Sequence, residues 1–319
     1  MRNKIITFGI IVLAITFVMG SMTLSAKAQD DQFKIGINNF GQANFFARLG
    51  REALINAVEE HGGKALPTVT AQVPKRMNAV ENYIAKGVDA IILQEGDVKQ
   101  LAPALKQAKE KGIIIVSMDA GTAPFVDIVV ESNNWVLGAK AASELMRRIG
   151  GTGNIVEIYN PAGQMIRMRR QILHAVLTEY SEVKITNGFV YAWPDYFPDV
   201  KAKMESVLQS QGDKIDGVFA TFDGAGVAAA QAIKEAGYED DIVVVGIDGD
   251  PEAYEEMREG DSPFKATVAQ KPEEMARIVV DKVFKILNGE EVTRRHYYVP
   301  GELVTIENVP EPGKRFPGE

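Results

Sequence analysis

Gly112-Ile113-Ile114-Ile115-Val116-Ser117-Met118-Asp119 is the stretch that decides the fold. Four consecutive β-branched residues favour a strand. The run carries no polar alternation, so both faces of the strand are expected to be buried, as in a parallel sheet covered by helices on each side. Upstream, residues 98–111 show apolar residues at helical spacing and stop at Lys111-Gly112. Downstream, the chain leaves the strand at an acid, Asp119.

The same unit recurs in both directions. Before it come strand 33–38, helix 44–60 stopped by His61-Gly62-Gly63, strand 68–72, helix 75–86 and strand 90–93. A short strand over 127–131 follows. A second series then begins with helix 134–149 and strand 154–158, and continues with helix 164–180, strand 184–190, helix 198–210, strand 217–220, helix 224–236 and strand 242–247. Helix 251–259, strand 264–268, helix 272–288, strand-like 297–306 and a Pro-rich tail complete it. Repeated strand-helix-strand units imply an α/β fold with helices on both faces of parallel sheets. Two such series predict two similar doubly wound parallel-sheet lobes.

The chain has 319 residues, 35 basic and 43 acidic, net −8. Its start reads as an export leader over 1–28: Arg2 and Lys4, an uncharged apolar run from Ile5 to Met19, then Ala26-Lys27-Ala28. Without the leader's three bases the remainder is near −11, a balance that argues against nucleic-acid or anionic-lipid partners. The chain is therefore expected to act outside the cytoplasm. There are no cysteines, which excludes a thiol nucleophile, cysteine-ligated metal and a lipid anchor on cysteine. His61, His174 and His296 are widely spaced and suit capping or exposed positions better than a metal site. No cofactor is expected. There is no nucleophile elbow, H-E-x-x-H, P-loop or strand-linked G-x-G-x-x-G; Gly150-Gly151-Thr152-Gly153 precedes its strand.

In open parallel sheets ligands sit beyond the carboxyl ends of the strands. Those positions hold Asn39, Phe40, Phe45 and Phe46; Asp119; Asn134 and Trp135; Arg167, Arg169 and Arg170; Trp193, Tyr196 and Phe197; Phe222 and Asp223; Asp248; and Gln270. Carboxylate, amide, guanidinium and ring suit a neutral, hydroxyl-rich ligand. Hydroxyls donate to Asp, accept from Arg and do both with Asn or Gln, while the C–H faces of a sugar pack on rings. Each residue also has a plainer use. An Asp after a strand caps the next helix, a role expected for Asp223, and the aromatic residues could be core.

Five segments resemble the periplasmic ribose-binding-protein-type receptors, the sugar-binding class of ABC-importer solute-binding proteins: Asn44-Phe45-Phe46, Val116-Ser117-Met118-Asp119, Ser132-Asn133-Asn134-Trp135-Val136-Leu137-Gly138, Val244-Val245-Gly246-Ile247-Asp248-Gly249 and Thr267-Val268-Ala269-Gln270-Lys271-Pro272. The resemblance implies two lobes joined by three hinge crossings near Glu131–Asn134, Ala269–Lys271 and Tyr298–Gly301. It places 29–132 with 271–298 in one lobe and 133–270 with 299–319 in the other. It implies contacts from Asn39, Phe45, Phe46 and Asp119 on one side and from Arg169, Phe222 and Asp248 on the other, with Gln270 at a crossing. Asn134 and Trp193 are added from their strand-end positions. The implied protein is a periplasmic monomer that takes a monosaccharide or sugar alcohol to a membrane permease.

Three positions depart from that pattern. Ala120 stands where ribose receptors carry Arg after the Asp, Gln42 or Ala43 where they carry an amide, and Phe222 where they carry Asn. A pentose, deoxy sugar or polyol therefore fits as well as ribose. Two other readings keep the cleft: a sensory subunit presenting ligand to a chemoreceptor or kinase, and a glycosidase using Asp119 and Asp248 as its carboxylate pair.

Overall fold

A computed structural model describes residues 32–317; the expected leader lies outside them. The first sheet contains β1 (Lys34–Asn39), β2 (Lys64–Val69), β3 (Ala90–Gln94), β4 (Ile114–Met118), β5 (Ile128–Ser132) and β11 (His296–Val299). The second contains β6 (Gly153–Tyr159), β7 (Val183–Val190), β8 (Gly217–Ala220), β9 (Val243–Val245), β10 (Phe264–Ala269) and β12 (Glu302–Thr305). The helices are α1 (Phe45–Glu60), α2 (Val73–Ala85), α3 (Ala102–Glu110), α4 (Asn134–Arg148), α5 (Gln164–Val176), α6 (Tyr196–Gln211), α7 (Asp223–Glu235), α8 (Pro251–Glu259) and α9 (Pro272–Leu287).

Strand order is β11-β5-β4-β3-β1-β2 in one sheet and β12-β10-β9-β8-β6-β7 in the other. The two orders are the same, so each lobe is a doubly wound unit. All pairings are parallel except β10 with β12. The chain passes between the sheets three times: after β5 into α4, after β10 into α9, and between β11 and β12.

The quoted strand behaves as its composition dictates. Val116 packs with Ile35, Ile37 and Ile92 toward α1 and α9, while Ile115 packs with Ile91 and Leu93 toward α2 and α3. Both are fully buried, each contributing roughly 1.5–3 kcal/mol.

Several expected boundaries move: helix 164–180 ends at Val176, and three further changes bear on the sheets. The second strand begins at Lys64 instead of Thr68, directly after the Gly62-Gly63 turn. Pro67 lies inside it, and its missing N–H is tolerated because β2 is a sheet edge. The strand expected over 242–247 shortens to Val243–Val245 as its register with β10 shifts, which frees Asp248 from the ladder apart from one bridge to Ala269. The strand-like run 297–306 is two strands, one in each sheet, split at Pro300-Gly301. Gly301 is required there: a Cβ would fall 2.8 Å from the Ala269 carbonyl oxygen. The tail also returns to the first lobe, where Arg315 pairs with Glu273 of α9 at 2.9 Å.

Candidate functional site

A cavity open at its mouth lies between the lobes. Its lining comes from the carboxyl ends of strands in both sheets: Phe40 after β1, Glu95 after β3, Asp119 after β4, Asn160 after β6, Phe222 after β8, Asp248 after β9 and Gln270 after β10. This is where the switch points of two doubly wound sheets place a ligand crevice.

The polar groups form one chain. Asn134 Nδ2 donates to Asp119 Oδ1 at 3.0 Å, and Arg169 Nε donates to Asn134 Oδ1 at 2.8 Å. Arg169 Nη1 donates to the Thr221 carbonyl at 2.8 Å and to Asp248 Oδ1 at 3.3 Å, and Gln270 Nε2 donates to the same oxygen at 2.6 Å. Arg169 is 2 % exposed, so its charge is usable only because these acceptors neutralise it.

Burial lifts both acids. Asp119 is pushed up to about 7, with Arg169 and the Asn134 hydrogen bond pulling it back. Asp248 is pushed up to about 6, held down by Arg169 and Gln270. Glu95 rises to about 8, first from burial and then from the Asp119 and Asp248 charges, against Arg76 and Arg169. Glu95 and Asp119 both sit in the left-handed region, at φ 58 and 53, a strained placement that clusters at ligand sites.

Rings form the walls. Phe46 is 3 % exposed and Phe222 2 %. Trp193 lies 6.0 Å from Phe40 across the cleft and stacks on Tyr196 at 5.7 Å. Tyr191 packs on Phe222 at 5.0 Å. The lobes also meet directly at the rim, where the Gln164 amide donates to the Gly96 carbonyl at 3.1 Å and Arg167 pairs with Asp97 at 2.6 Å.

Of the residues expected from sequence, Phe46, Asp119, Arg169, Trp193, Phe222, Asp248 and Gln270 line the cavity. Asn39, Phe45 and Asn134 do not. Asn39 is the last residue of β1, and its amide turns inward to Gln94; the next residue, Phe40, faces the cleft. Phe45 opens α1 outside this cavity, under the guanidinium of Arg315 at 4.8 Å. Asn134 is fully buried and acts behind the wall, tying Asp119 to Arg169. Asp223, expected as a cap, instead braces the loop after β9: its carboxylate accepts from the Gly249 and Asp250 amides at 2.7 and 2.9 Å and from Thr267 Oγ1. Arg170 bonds Glu157 on the outer face of α5.

Glu95 and Tyr191 escaped the sequence reading. The strand-end rule applied to β3 would have found Glu95, next to Gly96. No sequence signal marked Tyr191.

A family model described as periplasmic binding protein domain matches residues 35–291. The chain belongs to this family. Among its relatives, a xylitol-binding protein of Mycolicibacterium smegmatis is 29% identical over 289 residues, covering 88% of this chain and 80% of that protein. A putative rhizopine-binding protein of Rhizobium meliloti is 31% identical over 251 residues, covering 75% and 78%. An ABC-transporter solute-binding protein of Agrobacterium vitis, solved with bound allitol, is 28% identical, covers 87% of this chain and 97% of that chain, and superposes with a TM-score of 0.83. As a periplasmic binding protein, this chain is a solute-binding receptor.

Proposed function

We propose that this receptor captures a monosaccharide or sugar alcohol in the periplasm and delivers it, as a monomer, to the permease of an ABC importer. The observation that carries the reading is the hydrogen-bonded run Asp119–Asn134–Arg169–Asp248–Gln270, which draws on both lobes and lies between aromatic walls. Asp119 and Asp248 accept from hydroxyls, Arg169 orients them, and Phe46, Phe222 and Trp193 cover the C–H faces. Contacts available only when both lobes touch the ligand drive hinge closure. A ligand lacking one hydroxyl leaves a buried partner unpaired, which sets selectivity. The relatives named for xylitol and solved with allitol support a polyol as a ligand, and the aromatic Phe222 departs from the ribose pattern. The export leader read over 1–28 supports the location.

The test is a thermal-shift screen of the mature chain against pentoses, hexoses, deoxy sugars and polyols. A ligand at 100 times its Kd stabilises the native state by about 2.7 kcal/mol. If every member leaves the melting temperature unmoved, the reading fails.

A further inference from the structure

The cavity holds more acids than bases. Three carboxyl groups line it, Glu95, Asp119 and Asp248, against one guanidinium, Arg169. Arg169 is already committed to Asn134, Thr221 and Asp248. The position after Asp119 is Ala120, so no second cation stands there. Arg76 lies beneath the wall. It spends its guanidinium on Asn38 Oδ1 at 2.6 Å and on the backbone carbonyl of Glu95 at 3.0 Å, and makes no hydrogen bond to the Glu95 carboxyl. Arg167 is taken by Asp97.

The hydrogen-bond inventory is skewed the same way. Glu95 Oε2 and Gln270 Oε1 are buried acceptors without a partner, and Gln270 is 1 % exposed. The Glu95 carboxyl accepts nothing from the described residues, although its backbone is fixed on both sides, by its amide on the Met118 carbonyl at 2.9 Å and by Arg76 on its own carbonyl. Against these stands one orphaned donor at the cavity, Trp193 Nε1. A neutral polyol brings donors and acceptors in balance, whereas an ammonium brings three donors and no acceptor. The rings of Phe40, Tyr191 and Trp193 offer π-faces that also suit a cation. Among the described residues no group of three His, Asp or Glu is placed to hold a metal ion, which points to an organic cation.

We propose that the ligand is an amine-bearing polyol, a hydroxyl-rich small molecule with one ammonium group, and that Glu95 receives the ammonium while Asp119, Asp248 and Arg169 hold the hydroxyls. This rests on the polyol-receptor reading above and narrows it. Glu95, surrounded by Asp119 and Asp248 with Arg76 and Arg169 opposing, is raised to about 8. An ammonium placed beside it favours the ionised form, so binding near pH 7 expels a proton.

The experiment is calorimetry of the mature chain with matched pairs: ribitol and 1-amino-1-deoxyribitol, glucitol and 1-amino-1-deoxyglucitol, glucose and glucosamine. Each titration is run in two buffers of different ionisation enthalpy to count protons. At least one amine is expected to bind about tenfold or more tighter than its hydroxyl twin and to release more protons than the twin does. Glu95→Gln is expected to bring that preference below about threefold. A hydroxyl twin that binds as tightly as every amine overturns the inference and leaves the polyol reading standing. A preference that survives Glu95→Gln overturns the role of Glu95. No binding by either series removes the polyol reading and this inference together. Proton release is measured on the unaltered protein, so equal release within a pair overturns the proposal even where Glu95→Gln fails to fold.

Discussion

On the second lobe's side of the cleft Asp248 and Asp223 are partnered before any ligand arrives. Asp248 accepts from Arg169 and Gln270, and Asp223 accepts from two backbone amides and a hydroxyl. On the first lobe's side, Asp119 has one side-chain donor and Glu95 has none. Both stand on left-handed backbone. The two walls come from the same strand-end positions of the same topology, so the fold does not make the difference. The side chains around each acid do. One wall is preorganised and stiff, and the other keeps unsatisfied acceptors aimed at the space where a ligand sits, which is how binding energy is reserved for the ligand.

The comparison can be broken at its stiffest point. Arg169→Met leaves Asp248 and Asn134 buried without their cation. Breaking a buried pair in this way costs about 3–5 kcal/mol of stability, and ligand affinity should fall by at least about 100-fold. Denaturant melts and calorimetry read both. A variant that melts like the parent and still binds would show that the second wall is not held by its charge network.

The other wall should respond with the opposite sign. Glu95, Asp119 and Glu131 are all raised to about 7 or 8, mainly by burial. Their folded values exceed the unfolded ones, so the native state binds more protons. The stability they contribute is fully present below about pH 4 and is lost as pH rises through about 7–8. The ligand-free protein should therefore melt higher at about pH 5.5 than at about pH 8. Glu95→Gln removes one of these acids and should raise the melting temperature at about pH 8 by about 3 °C while losing the amine preference. A flat profile from pH 5.5 to 8 would refute this account of the first wall.

The smallest effect is expected where the walls meet. Arg167→Ala removes the ion pair with Asp97 across the rim. Arg167 is about one-third exposed, so the melting temperature should shift by less than about 2 °C. Affinity should weaken about three- to tenfold, mostly as faster release, because the pair joins the two lobes across the rim of the cleft. Stopped-flow release rates measure it. Unchanged rates would mean the pair does not bias closure.

Legibility in the sequence followed the physics of each position. Ile113 to Val116 could only be a strand buried on both sides, and Asp119 could only follow it at the sheet's carboxyl edge. Asp248 and Gln270 were legible for the same reason. Asn39 and Phe40 were not separable, because a one-residue change at a strand end turns a side chain from the cleft to the core. Asp223 read as a helix cap because the loop it braces, Gly249-Asp250, is remote in sequence. Arg169, Arg170 and Arg167 are near neighbours on one helix, and spacing alone does not say which faces inward. In the fold they reach Asp248, Glu157 and Asp97 respectively.

The sequence by itself determined the two-lobed α/β plan, since apolar strand runs and capped amphipathic helices act through local periodicity, and periodicity is written in neighbouring residues. Tertiary structure alone decided which acids are partnered and which are left open. That depends on atoms brought together from strands far apart in the chain, Glu95 beside Asp119 and Arg76, Arg169 beside Asp248. Burial there sets the cost of every unpaired charge.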